Sequence, residues 1–169
     1  VCNGVNLGWR KGSIIKDLGY SQVGTVLEAS KSITGLHNFR QSASVQKILA
    51  TVNNTAGTAL TLQYNNAGTW AAINVGATYT GFEDCEVYME DFIGYCFIVG
   101  YDSTDNVFLP SASLTGTTFS ETTNVTSMPE AKFVKRYRDR VYIGNCDIAT
   151  TRYPYRVYYS SVPTAGAIT

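Results

Sequence analysis

A histidine acting as general base needs a nucleophile beside it and an acidic group behind it, and His37 is the only histidine in the chain. It stands in the run Leu36-His37-Asn38-Phe39, and no Gly-x-Ser-x-Gly elbow exists to supply an activated serine. His37 therefore reads as a strand histidine with a local hydrogen bond. Paired carboxylates held about 5–9 Å apart hydrolyse glycosides, and Glu83, Asp84, Glu86, Glu90 and Asp91 form an acidic cluster. Alternation along a strand sets Glu86, Glu90 and Asp84 on one face, with Tyr88 and Phe92 opposite them or at the edge. A polar outer sheet face explains such a cluster as well as a hydrolase does, so no catalytic residue is assigned and no enzyme is expected. Asp102-Ser103-Thr104-Asp105-Asn106 spaces its oxygens like part of a calcium loop, but without the glycine and distal glutamate of an EF-hand it reads as an Asx-rich hairpin turn.

Cysteines stand at 2, 85, 96 and 146, with no Cys-x-x-Cys pair. With one histidine, a zinc site would be almost all thiolate at unhelpful spacings, so neither a metal nor a cofactor is expected. Cys85 and Cys96 can face each other across a hairpin as a disulfide; free, mostly buried thiols are the preferred reading.

The basic residues are more informative. Lys132, Lys135, Arg136, Arg138, Arg140, Arg152 and Arg156 place over half of the 13 Lys and Arg in the last quarter of the chain. They interleave with Phe133, Tyr137, Tyr142, Tyr153, Tyr155 and Tyr158. Basic residues among aromatics suit nucleic acid. Arginine forks suit carboxylates equally, and pairing with the acidic set Glu83, Asp84, Glu86, Glu90 and Asp91 of a neighbouring unit or subunit is preferred. Asp139 between two arginines favours that network.

These side chains must be carried by strands. Thr, Val, Ile, Tyr and Phe fit a pleated, half-buried surface. Charged residues make up only 15% of the 169-residue chain, against roughly 25% in an average domain. Thirteen basic and 13 acidic residues leave no net charge, which excludes a whole-protein basic footprint and a polybasic membrane anchor. Such a surface suits packing against other subunits. No run approaches the ~20 apolar residues of a membrane span.

Residues 1–34 read as an extended leader, with one short helical candidate at Ser13–Leu18 and a strand or two from Val23 to Ile33. Residues 35–169 read as a repeating β domain in units of about 35–75, 82–123 and 131–169. In the first unit, strands are expected at His37–Arg40, Val45–Val52, Ala59–Tyr64 and Trp70–Val75, separated by Asn/Gly turn chemistry such as Asn65-Asn66-Ala67-Gly68. In the second they are expected at Cys85–Glu90, Tyr95–Tyr101, Val107–Ala112 and Thr118–Thr122. The third offers Lys132–Tyr137, Arg140–Gly144 and Arg156–Ser160. Phe92–Ile98 overlays on Tyr137–Ile143, Gly68-Thr69-Trp70 on Thr117-Thr118-Phe119, and Val107-Phe108-Leu109 on Val157-Tyr158-Tyr159. A repeat of four short strands over about 40–50 residues is the period of a propeller blade. The expected fold is all-β: repeated four-stranded antiparallel blades, part of a β-propeller or propeller-like ring, with a β-sandwich as the alternative. About two and a half blades do not close a propeller, so partners or further blades are expected.

Several short motifs follow an order that resembles a class of phage virion proteins. They are Asn3-Gly4-Val5-Asn6, Ile14-Ile15-Lys16-Asp17-Leu18-Gly19-Tyr20, Met128-Pro129-Glu130-Ala131-Lys132-Phe133, Tyr137-Arg138-Asp139-Arg140-Val141-Tyr142 and Arg156-Val157-Tyr158-Tyr159-Ser160-Ser161. The resemblance implies a structural component of a virion tail or head-to-tail connector, of nozzle or hub type. Its partners would be other virion proteins and copies of itself in a ring or tube, with non-specific contact to DNA in transit and no membrane. The alternative is a secreted carbohydrate- or surface-binding β module that presents Trp70, Tyr79 and Tyr153 on loops.

Overall fold

In a computed structural model of the chain, residues 7–10, 13–16, 32–54, 56–73, 79–83, 85–115, 120–122 and 128–161 are described, with backbone alone for 7–10, 13–16, 66, 110–115 and 120–122. Among the described residues there are thirteen strands and no helix. None therefore forms a helix long and apolar enough to cross a membrane.

β1 (Leu7–Arg10) and β2 (Ser13–Lys16) pair as an antiparallel hairpin. The helix expected over Ser13–Leu18 is thus replaced by a strand through Ser13-Ile14-Ile15-Lys16; two adjacent β-branched isoleucines favour the extended chain. The strands expected from Val23 fall outside the described residues until Ile33, which opens β3.

Three further sheets follow, each a meander of consecutive antiparallel strands. The first comprises β3 (Ile33–Arg40), β4 (Gln46–Asn53), β5 (Leu60–Asn66) and β6 (Thr69–Ala72). The second comprises β7 (Glu86–Phe92), β8 (Tyr95–Asp102), β9 (Val107–Thr115) and β10 (Ser120–Thr122). The third has three strands, β11 (Glu130–Tyr137), β12 (Arg140–Ile148) and β13 (Thr151–Tyr159). The sheets do not close into a ring.

Two-residue turns set the registers. Ala67-Gly68 joins Asn66 to Thr69, and Ile93-Gly94 joins Phe92 to Tyr95. Both residues of each turn have positive φ, the geometry whose twist matches that of paired strands. Ala149-Thr150 joins Ile148 to Thr151 with φ of 49° and 67°. Neither is a glycine, and a β-branched residue is strained in this region. Arg138-Asp139 closes β11 onto β12 with a two-residue turn at the position where Ile93-Gly94 closes β7 onto β8, though only Arg138 of the pair has positive φ, as the overlay of Phe92–Ile98 on Tyr137–Ile143 anticipates in position. The overlay of Val107–Leu109 on Val157–Tyr159 slips: β9 opens at Val107, but β13 opens at Thr151 and Val157 falls near its end.

The core lies between sheets. In β8, Cys96 and Ile98 join Phe39, Leu49, Leu62 and Val87 in a cluster shared with the first sheet. Phe97 and Val99 join Phe92, Val134, Val141, Ile143 and Cys146 in a cluster shared with the third. β8 is thus buried on both faces, which is why Tyr95–Asp102 lacks a polar alternation. Each of Phe97, Ile98 and Val99 contributes roughly 1.5–3 kcal/mol by burial. The first and second sheets approach most closely where β3 passes β7. A Cβ on Gly35 would lie 2.9 Å from the Val87 carbonyl oxygen and 2.7 Å from Thr51 Oγ1, so glycine is needed there for space rather than for backbone angle.

Candidate functional site

The acidic residues of β7 are divided between the two seams by the pleat. Asp91 points at the first sheet, where His37 Nε2 lies 2.7 Å from its Oδ1 and the Arg40 amide donates to its Oδ2 at 2.6 Å. Glu90, one residue earlier, points the other way and accepts from Lys135 Nζ at 2.6 Å. The histidine therefore has a hydrogen bond, but its partner is 54 residues away rather than local. The pairing of basic with acidic residues across units is present in Lys135–Glu90. The pair is exposed on the lysine side, so its worth is below about 1 kcal/mol. It fixes orientation more than it stabilises.

Tyr88 and Phe92 share the face of Glu86 and Glu90, contrary to the opposite placement expected: positions 86, 88, 90 and 92 have one parity. Tyr88 meets Phe133 edge-on at 5.3 Å, and Phe92 enters the second seam's core. Glu86 is exposed at the start of β7. Glu83 is half-buried in the turn before it, with Oε2 enclosed and lacking a hydrogen-bond partner. Asp84 lies outside the described residues. Glu90 and Asp91 therefore point to two different seams.

The basic set is likewise dispersed. Lys132 lies over Tyr101 and Phe133, at 4.9 and 5.4 Å from the ring centres. Arg152 lies over Tyr101 and Phe108 and donates to Asn106 Oδ1, which also accepts from the Tyr101 hydroxyl. These two cations join the third sheet to the second. Arg138, Arg140 and Arg156 cover Tyr137, Tyr159 and Tyr153 at 5.2, 4.9 and 4.3 Å. Arg136 is exposed on β11.

Among the described residues β13 is the most exposed strand, and it is an edge strand with one neighbour, β12. Between Cys146↔Tyr153 and Gly144↔Val157 the strand bulges, and Pro154, Tyr155 and Arg156 loop out opposite Asn145. Tyr155 is 98% exposed, Val157 65% and Tyr159 64%. Tyr159, Tyr142 and Tyr137 form a row with ring centres 6.0 and 6.4 Å apart. The sequence already interleaved these aromatics with arginines, but Thr151–Tyr155 was not expected as strand. Pro154 and the glycine-free turn hid it, and an edge strand tolerates the proline.

Of the three aromatics assigned to carbohydrate binding, Tyr79 is buried in the first cluster at 4% exposure, and Trp70 and Tyr153 are half-buried on strands rather than loops. Asp102 Oδ1 accepts from the Thr104 and Asp105 amides at 2.7 and 3.2 Å, so the loop is an Asx turn. Cys85, Cys96 and Cys146 are free and buried. The Cys85–Cys96 disulfide fails because Cys96 lies across from Asp91, while Cys85 precedes Glu86, the partner of Tyr101.

One group of residues has donors suited to a metal: His37 Nε2, an Asp91 carboxylate oxygen and Cys96 Sγ lie within 4.8 Å of one another. Burial, and then Asp91, holds the Cys96 thiol well above its ordinary range. A separate open cleft of about 510 Å³ is lined by Met128, Pro129, Glu130, Asp147, Ile148, Ala149 and Thr150. There Glu130 faces Asp147 across the ladder, and burial followed by that neighbouring charge raises the Glu130 carboxyl.

Comparison with protein-family models, curated proteins and solved structures finds no match to this chain.

Proposed function

We propose that the chain is a structural component of a phage virion, in the tail or head-to-tail connector, and that its sheets are blades of a propeller-like body completed by neighbouring copies. The observation that carries this reading is the contrast between the second and third sheets. In the second, β8 is covered on both faces, whereas the third ends on β13 with Tyr155, Val157 and Tyr159 in solvent. Tyr and Arg flanking an apolar residue is a composition typical of interface centres, and the β13 edge, unpaired among the described residues, offers a ladder to another strand. The regular stacking supports the blade reading: β3 packs on β7 and β7 on β11, so the first strands of successive sheets lie side by side. The virion assignment itself rests on the order of short motifs from Asn3 to Ser161. Arg138, Arg140 and Arg156 would also meet phosphates of DNA in transit, without sequence preference.

Light scattering of the full chain over a concentration series tests the assembly. Rings or tubes are expected, and Tyr155→Glu with Val157→Lys reduces them to single chains. A wild-type chain that stays monomeric at every concentration overturns the reading. Immunogold electron microscopy of phage particles tests the location, with label expected at the tail or neck.

A further inference from the structure

We propose that His37, Asp91 and Cys96 form a zinc-type metal site that clips the first sheet to the second. The donors come from three strands of two sheets, β3, β7 and β8, so their positions are set by the packed core rather than by a loop. Asp91 and Cys96 are direct cross-strand partners, and His37 reaches them from the facing sheet. The carboxylate is already oriented, because its second oxygen accepts the Arg40 amide at 2.6 Å. Such outer contacts hold a ligand in place for a metal.

The donor set selects the ion. Nitrogen, carboxylate oxygen and sulfur together fit zinc or cobalt(II), whereas calcium and magnesium require oxygen throughout. Zinc lies about 2.0–2.3 Å from such donors, which places them roughly 3.3–3.8 Å apart in a tetrahedron. The observed spread of 4.8 Å contracts to that by small rotamer changes, while the 2.7 Å His37–Asp91 hydrogen bond opens to admit the ion. His37 and Asp91 side chains are each 21% exposed, so the ion arrives from solvent and water takes the fourth position. Cys96, fully buried behind them, is shielded.

The same three residues do not make a cysteine nucleophile. The His37 imidazole is engaged by Asp91 rather than by the Cys96 thiol, and the neighbouring carboxylate charge disfavours the thiolate that a nucleophile needs. Metal binding balances simply. The S–H bond breaks as the sulfur–metal bond forms, and that proton leaves to solvent. His37 binds the ion through the Nε2 lone pair as the Nδ1–H tautomer. One proton is released per ion, and the metal's charge stabilises a thiolate that burial alone disfavours. The inference is independent of any virion role.

Cobalt(II) chloride titrated into the chelator-treated full chain tests it. One equivalent is expected to bind, with the near-ultraviolet charge-transfer band of a cobalt–thiolate bond, and zinc is expected to displace it and raise the melting temperature. His37→Gln and Asp91→Asn, both at half-buried positions that leave the core intact, are expected to weaken binding at least about tenfold. Cys96→Ser is expected to abolish the band. Absence of the band in the wild-type chain overturns the proposal, and so does affinity unchanged in His37→Gln and Asp91→Asn.

Discussion

Gly35→Ala is the substitution whose sign depends on the two sheets being stacked as described. In an isolated strand, replacing glycine by alanine at an ordinary φ stabilises by about 0.4–1 kcal/mol, because the unfolded chain loses freedom. Here the new methyl would sit 2.9 Å from the Val87 carbonyl oxygen, 3.0 Å from Val87 Cβ and 2.7 Å from Thr51 Oγ1. Two of these neighbours are backbone-fixed parts of β7, so relief requires the first sheet to move off the second. Overpacking of this kind costs about 1–3 kcal/mol. Displacing Thr51 also disturbs its hydroxyl bond to Thr34, 3.0 Å long, worth about 1 kcal/mol. After the entropic gain, a net loss of about 1–3 kcal/mol remains. Urea denaturation followed by circular dichroism reads it as a lower midpoint with an unchanged slope. A midpoint that rises would refute the close approach of β3 to β7.

Three further outcomes follow from particular residues. Ala149→Asn with Thr150→Gly is expected to raise the thermal midpoint, contributing about 1–2 kcal/mol by removing left-handed strain from non-glycine residues; a lower midpoint argues against the turn. Burial pushes the Cys85 thiol up to about 12, with Asp102 adding to it, and burial pushes the Cys146 thiol up to about 11. A thiol held above its unfolded value of 9.0 contributes stability that is full below pH 9 and lost as pH rises through the folded value. Urea midpoints are therefore expected to fall between about pH 9 and 11, less steeply in Cys146→Ser, and an identical fall in both proteins would remove Cys146 as a cause. Glu130→Gln is expected to stabilise at pH 7, where the native state holds a disfavoured charge beside Asp147. The gain, below about 1 kcal/mol for this partly exposed group, disappears below the unfolded carboxyl value of 4.5; a gain that persists there would point to packing instead.

Strand positions were readable wherever glycine and asparagine mark the turns. Asn65-Asn66-Ala67-Gly68 and Ile93-Gly94 place β5, β7 and β8 within one or two residues of expectation, while β6 ends at Ala72, three residues before the expected Val75. Without such a mark the reading holds at Arg138-Asp139, between β11 and β12, and fails at Ala149-Thr150. Ala149-Thr150 hides the start of β13, and the pairing of Ser13–Lys16 with Leu7–Arg10 is a tertiary fact that local propensity does not carry. The site was harder still. That Glu90 and Asp91 face opposite neighbours follows from the two-residue period, but which neighbours they meet depends on sheet stacking. The His37–Asp91 bond spans 54 residues, and no local pattern encodes it. Tyr79, assigned to a loop, is drawn into the core by the backbone bridge that places Leu60 against it.

Because every ladder in the three larger sheets joins strands adjacent in sequence, this chain has a built-in order of assembly. Hairpins closed by two-residue turns form on the microsecond scale and need no distant segment. Stacking can come only afterwards, since it joins residues some fifty positions apart, such as Lys135 to Glu90 and His37 to Asp91. The stability of such an array is a sum of sheet terms and nearest-neighbour seam terms. The second sheet takes part in both seams and is the last to open, while the third holds only one. Amide hydrogen exchange should therefore be slowest along β8 and fastest along β13, the most exposed of the described strands.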